Sequence, residues 1–196
     1  MAKFHRWFQR IVVPLVGIAF HLYYRLHVTG RENIPDGGCV VCPNHSSYAD
    51  PPLAAAAVSG RHNIAIMAKR ELFEKGGFFA QLITWLGAFP VSRGDADVTA
   101  IKTALKAVKD GRKLIIFPQG TRGAGEGQTK EGAAMLAART KAPILPIFIP
   151  ENKQRFGRVN VVIGKPFYPE AGSKDYAAIA EDILRRIYAL NAEERV

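Results

Sequence analysis

The chain predicts an α/β fold: a central mostly parallel or mixed β-sheet flanked by helices, with a membrane-associating helical segment at its N-terminus. Short apolar runs alternate with stretches of helical spacing, the pattern of layered α/β domains. Turn and cap residues punctuate these runs. Of the 196 residues, 48% are apolar, enough for one core, and the length fits one domain more easily than two.

Each element has its own signal. Residues 1–25 carry Lys3, Arg6, Arg10 and Arg25 with no acidic residue. Between them runs an apolar stretch, residues 11–20, too short to span a bilayer. No small-x-small cleavage site follows it, as a signal peptide would require. The arginine flanks and the aromatics Trp7, Phe8, Phe20, Tyr23 and Tyr24 suit a helix lying in a membrane interface, drawn to acidic headgroups. The competing reading is a helix packed on its own domain. Pro14 is expected to kink it.

The main domain follows, residues 26–196. Strands are expected at residues 26–29 and 39–42, separated by a turn at 33–38. A helix then begins near Asp50-Pro51 and runs to Val58. A strand at 63–68, an apolar helix at 78–86 and a short strand at 88–91 come next. Asp97 can cap a helix over 98–109, whose Ile101, Leu105 and Val108 share one face. Strands at 113–117, 144–149 and 159–163 and helices at 131–140 and 176–190 complete the pattern.

Lys and Arg outnumber Asp and Glu by 27 to 17, a formal charge of +10. Such a surface draws anionic partners: nucleic acid, acidic lipid headgroups or phosphorylated substrates. No nucleic-acid motif accompanies the charge, and the aromatics lie in apolar runs, so a nucleic-acid partner is not expected. No Gly-x-Ser-x-Gly elbow, Walker loop or dinucleotide glycine pattern is present. Cys39 and Cys42 form a C-x-x-C, but no second Cys/His pair completes a zinc site. On a strand, residues three apart point to opposite faces, so both read as structural thiols in a reducing compartment.

Four stretches could carry chemistry. In Asn44-His45-Ser46-Ser47-Tyr48-Ala49-Asp50-Pro51, between a strand and a helix start, an imidazole can take a proton from a hydroxyl near neutral pH. A carboxylate on its other nitrogen would fix the tautomer. Asp50-Pro51 reads equally well as a helix cap followed by proline. In Phe117-Pro118-Gln119-Gly120-Thr121-Arg122, a glycine, a hydroxyl and a guanidinium suit a phosphate. Gly87 to Gly94 sets Arg93 at another strand end, and Lys69 and Arg70 follow a third. Residues 142–147 form a proline-bearing apolar block suited to a core strand.

Together and in this order, these blocks resemble the glycerolipid acyltransferase family, specifically the bacterial 1-acyl-glycerol-3-phosphate (lysophosphatidic acid) acyltransferases. The matching motifs are N-H-x4-D (Asn44, His45, Asp50), Gly-x5-Arg (Gly87 to Arg93), F-P-E-G-T-R (Phe117 to Arg122, with Gln119 in place of Glu) and the Pro143 to Pro146 block. The resemblance spans roughly residues 25–165. It implies that residues 26–196 are an acyltransferase domain, with His45 as general base and Asp50 orienting it. The acceptor hydroxyl would attack an acyl thioester directly. Arg93, Thr121 and Arg122 would hold the acceptor phosphate with Gly120 shaping the loop, and Lys69 and Gln119 are further substrate-binding candidates. The implied partners are lysophosphatidic acid, acyl-CoA or acyl-carrier protein, and an anionic membrane surface at the cytoplasmic face. No metal and no bound cofactor are implied. Gln119 keeps the size of Glu but loses its charge, which leaves open another lysophospholipid or lyso-lipid acceptor.

Overall fold

The computed structural model describes residues 6–60, 62–74, 76–92, 97–120, 130–170 and 172–194. It contains α1 (Arg6–Tyr24), β1 (Leu26–Thr29), β2 (Cys39–Pro43), α2 (Asp50–Val58), β3 (Ile64–Lys69), α3 (Glu71–Glu74), α4 (Gly77–Trp85), β4 (Ala88–Val91), α5 (Val98–Lys109), β5 (Lys113–Ile115), α6 (Gly132–Thr140), β6 (Ile144–Phe148), β7 (Val159–Ile163) and α7 (Tyr176–Glu194). The short α3 and a 3-10 turn at Arg31–Asn33 are the described elements that periodicity does not predict, being under two turns long.

One seven-stranded sheet orders the strands β1-β7-β6-β2-β5-β3-β4. Every pairing is parallel except β6 with β7. Helices cover both faces, as parallel strands require. Alternation along β2 divides the core: Val40 and Cys42 face one layer, with Ala104, Ala137 and Ile183. Cys39 and Val41 face the other, with Leu53, Ala57 and Val13. The two cysteines are therefore free, buried and on opposite faces. Burial pushes both thiols up, Cys39 to about 11.

The first helix packs on the domain. Val13 is buried against α2, and the buried Gln9 donates to the carbonyls of Ile64 (2.9 Å) and Leu86 (2.6 Å) while accepting from the Ile64 N–H (3.1 Å). The helix runs through Pro14 without a break. Its opposite side exposes Trp7, Ile11, Leu15, Ile18 and Leu22. Among the described residues, no helix is long and apolar enough to cross a membrane.

Candidate active site

The carboxyl ends of β2, β5 and β6, adjacent and parallel, converge on one edge of the sheet, where open α/β sheets place ligands. The segment after β2 carries His45. It is anchored by Asn44, a buried amide that donates to the Ile149 carbonyl (2.8 Å) and accepts from the Ile149 N–H (2.7 Å). These two bonds lock the end of β2 to the end of β6. Phe117, just beyond β5, lies beside the imidazole with ring centroids 4.3 Å apart. A ring packed there limits how far the imidazole can swing.

His45 Nδ1 and Asp50 Oδ2 are 3.1 Å apart. The histidine side chain is 13% exposed and the aspartate 0%. The cap reading of Asp50 is overturned by its partners: Ala49 occupies the cap position, without a side-chain bond to the helix. Asp50 instead points back into the preceding turn. Its Oδ2 accepts from the N–H groups of Ser46 and Ser47, each at 2.6 Å, and its Oδ1 from the Ser47 hydroxyl at 3.1 Å. Burial pushes this carboxyl up, but the His45 bond, the Ser47 N–H and the charge of Lys153 outweigh it and hold the group at about 2. Asp50 is thus an anion whose hydrogen bonds fix the imidazole.

Gln119 lies behind His45, 2% exposed. Its Oε1 accepts from the His45 N–H (2.7 Å) and its Nε2 donates to the Tyr188 hydroxyl of α7 (2.9 Å). Gly120 sits at φ +68°, where a side chain is strained, and a Cβ there would stand 2.9 Å from Lys130. Its N–H donates to the Phe117 carbonyl (3.0 Å), closing the turn after β5. Lys69 ends β3, two strands from β2 across β5, or roughly 10 Å. Arg70 pairs with Asp97 (3.0 Å) and donates to Ser92, while Asp97 caps α5 through the Ala100 N–H (2.9 Å). Arg93, Thr121 and Arg122 lie outside the described residues. The strands that precede them, β4 and β5, run parallel to β3 and end on the same edge as β2.

Sequence reasoning missed Lys153, beyond β6. Its ammonium is 3.0 Å from Asp50 Oδ1, and its side chain is 4% exposed. No motif marks it, because only the tertiary fold carries its loop to the start of α2. Among the described residues, no group of three or more His, Cys, Asp or Glu side chains could hold a metal ion.

A profile of the acyltransferase family matches residues 25–150, which include the whole His45–Asp50 turn. The chain belongs to the acyltransferase family. A 1-acyl-sn-glycerol-3-phosphate acyltransferase of Bacillus subtilis is 32% identical over 83% of this chain and 86% of its own length. The chloroplastic 1-acyl-sn-glycerol-3-phosphate acyltransferase BAT2 of Brassica napus is 30% identical over 88% of this chain, which spans about half (53%) of that longer relative. Among solved structures, the 1-acyl-sn-glycerophosphate acyltransferase PlsC of Thermotoga maritima superposes with a TM-score of 0.70 at 28% identity, covering 92% of this chain and 79% of that one. As an acyltransferase, the chain is an enzyme of the fold that the alternation of strands and helices predicts.

Proposed function

We propose that this acyltransferase moves a fatty acyl group from acyl-CoA or acyl-carrier protein to the free hydroxyl of 1-acyl-glycerol-3-phosphate, giving phosphatidic acid. The 3.1 Å His45–Asp50 pair carries this reading, set at the carboxyl ends of parallel strands in a chain whose relatives bear that activity in their names. With Nδ1 turned to Asp50, the second ring nitrogen is left for the acceptor. It takes the hydroxyl proton as the oxygen attacks the thioester carbonyl. The tetrahedral intermediate expels the thiolate, which recovers the proton from the imidazolium. Asp50 stabilises that cation while it lasts. Arg93, Thr121, Arg122 and Lys69 are assigned to the acceptor phosphate, for which guanidinium and ammonium groups are suited.

Gln119 is assigned to positioning, since its amide bonds to the backbone of His45 and to Tyr188. The exposed apolar stripe of α1 supports a domain seated on the membrane, with residues 1–25 as its docking segment. The test is an assay of detergent-purified protein with oleoyl-CoA and acyl-carrier protein as donors and a panel of acceptors. Phosphatidic acid should form only with His45 intact, and His45→Ala should lower the rate by about a hundredfold or more. Equal rates for the Ala variant would sink the mechanism, and preference for an acceptor without phosphate would sink the substrate.

A further inference from the structure

Asp50 presents two oxygens. Oδ2 takes the imidazole and two backbone N–H groups. Oδ1 takes the Ser47 hydroxyl and the Lys153 ammonium. The same ammonium donates to the Ser46 hydroxyl at 3.0 Å, to the Pro150 carbonyl and to the Glu151 carbonyl at 3.4 Å. A lysine so enclosed is a poor ligand for a substrate phosphate, but it stands one carboxylate away from the base.

The loop that carries it is held at both ends. Asn44 grips Ile149 at its start. Near its far end the Phe156 N–H donates to the Tyr23 carbonyl of α1 (2.8 Å), and Arg155 donates to the Tyr23 hydroxyl (2.7 Å). Lys153 from this loop meets the carboxylate directly, and the Tyr24 phenol of α1, pushed up chiefly by burial, feels the charges of Asp50 and Arg155 in opposite senses. Among the described residues of the turn after β5, Phe117 and Gln119, both uncharged, contact His45.

We propose that Lys153 is a positioning residue of the acyl-transfer site: its ammonium, bridged to the Asp50 oxygen that His45 does not use, aims the carboxylate and offsets its charge, so the His45–Asp50 dyad releases its proton at lower pH than an uncompensated pair would. This rests on the reading of His45 as general base. A carboxylate whose charge is offset attracts an imidazolium less strongly. Removing the cation leaves a buried anion facing the imidazole, which then holds a proton more tightly.

The experiment measures kcat/KM against pH, from about pH 5 to 9, for the full chain with oleoyl-CoA and 1-acyl-glycerol-3-phosphate. Lys153→Met should displace the acid limb upward by about one pH unit. Its deficit, up to about tenfold on the acid limb, should shrink in alkaline solution as the dyad deprotonates. Lys153→Arg, which keeps the charge, should restore the wild-type limb. If the Met variant does not fold, Lys153→Gln carries the same expectation. An acid limb unmoved in the charge-neutral variant, whether rates are unchanged or lowered equally at every pH, overturns the proposal. So does an Arg variant displaced as far as Met. Failure of the parent reading is seen separately, as absent or His45-independent transfer by the wild-type protein.

Discussion

Asp50 has two jobs, and they give it two pH signatures. As a partner of His45 it shapes the rate in the proposed mechanism; as a buried anion it ties folding to pH. Its carboxyl is lowered from 3.8 to about 2 in the folded chain. A group whose folded value lies below its unfolded one binds fewer protons when folded, so it stabilises the fold above the unfolded value. That contribution, on the order of 2 kcal/mol, is complete above about pH 4 and is lost as pH falls toward 2. Asp50→Asn should therefore flatten the acid side of a stability–pH curve in that window, as followed by urea unfolding. A wild-type and an Asn curve that run parallel there would disprove the assignment. His45 and Asp50 were nameable from N-H-x4-D, although the same letters also spelled a helix cap. The carboxylate's acceptance from Ser46 and Ser47, rather than from the helix, separated the two meanings.

At the scale of elements, the strands were the most legible parts. β1, β4 and β7 occupy the residues that their apolar runs mark, and α5 begins where Asp97 caps it. β5 is shorter than its apolar run: pairing ends at Ile115, and Phe117 leaves the sheet to lie against His45. The residue identities allow a longer strand; the turn closed by the Gly120 N–H on the Phe117 carbonyl ends it. The short α3 carries too little periodicity to be read. β2 supplies a test of its own. With Cys39 and Cys42 on opposite faces and both thiols shifted upward by burial, neither should react with a thiol reagent in native protein at neutral pH. Both should react after unfolding in denaturant. Prompt labelling of the native chain would contradict the core described for β2.

For the whole molecule, charge and apolar surface point the same way. The chain carries +10, and α1 exposes Trp7, Ile11, Leu15, Ile18 and Leu22 along one side. Phe8 meets Trp85 edge-on at 5.2 Å, joining α1 to α4, which exposes Phe78 and Phe79. A surface of this kind fits an anionic bilayer, into which apolar side chains sink while cations meet headgroups. Replacing Ile11, Leu15 and Ile18 by Ser should weaken binding to phosphatidylglycerol-containing vesicles by about a hundredfold or more, at roughly 1.5–3 kcal/mol for each buried side chain. Thermal stability should change little, since these positions are exposed. Unchanged co-sedimentation would remove α1 from the membrane contact.

The sequence by itself determined what is local or periodic. Apolar alternation dictated the layers, the cap and turn residues bounded most elements, and four spaced blocks marked the family and the His45–Asp50 pair. Only the tertiary structure decided what depends on distant segments meeting. It set α1 on the domain, with Val13 in the core beside α2 and Gln9 bonded to the backbone of Ile64 and Leu86, while leaving its other side bare. It turned Gln119 toward His45 and Tyr188, and it brought Lys153 to Asp50 across more than a hundred residues. The reason is that a side chain's charge and shape are written in the sequence, but its partner is chosen by sheet order. Here β2, β5 and β6 lie side by side though far apart in the chain, and the proposed acyltransferase site lies where their ends meet.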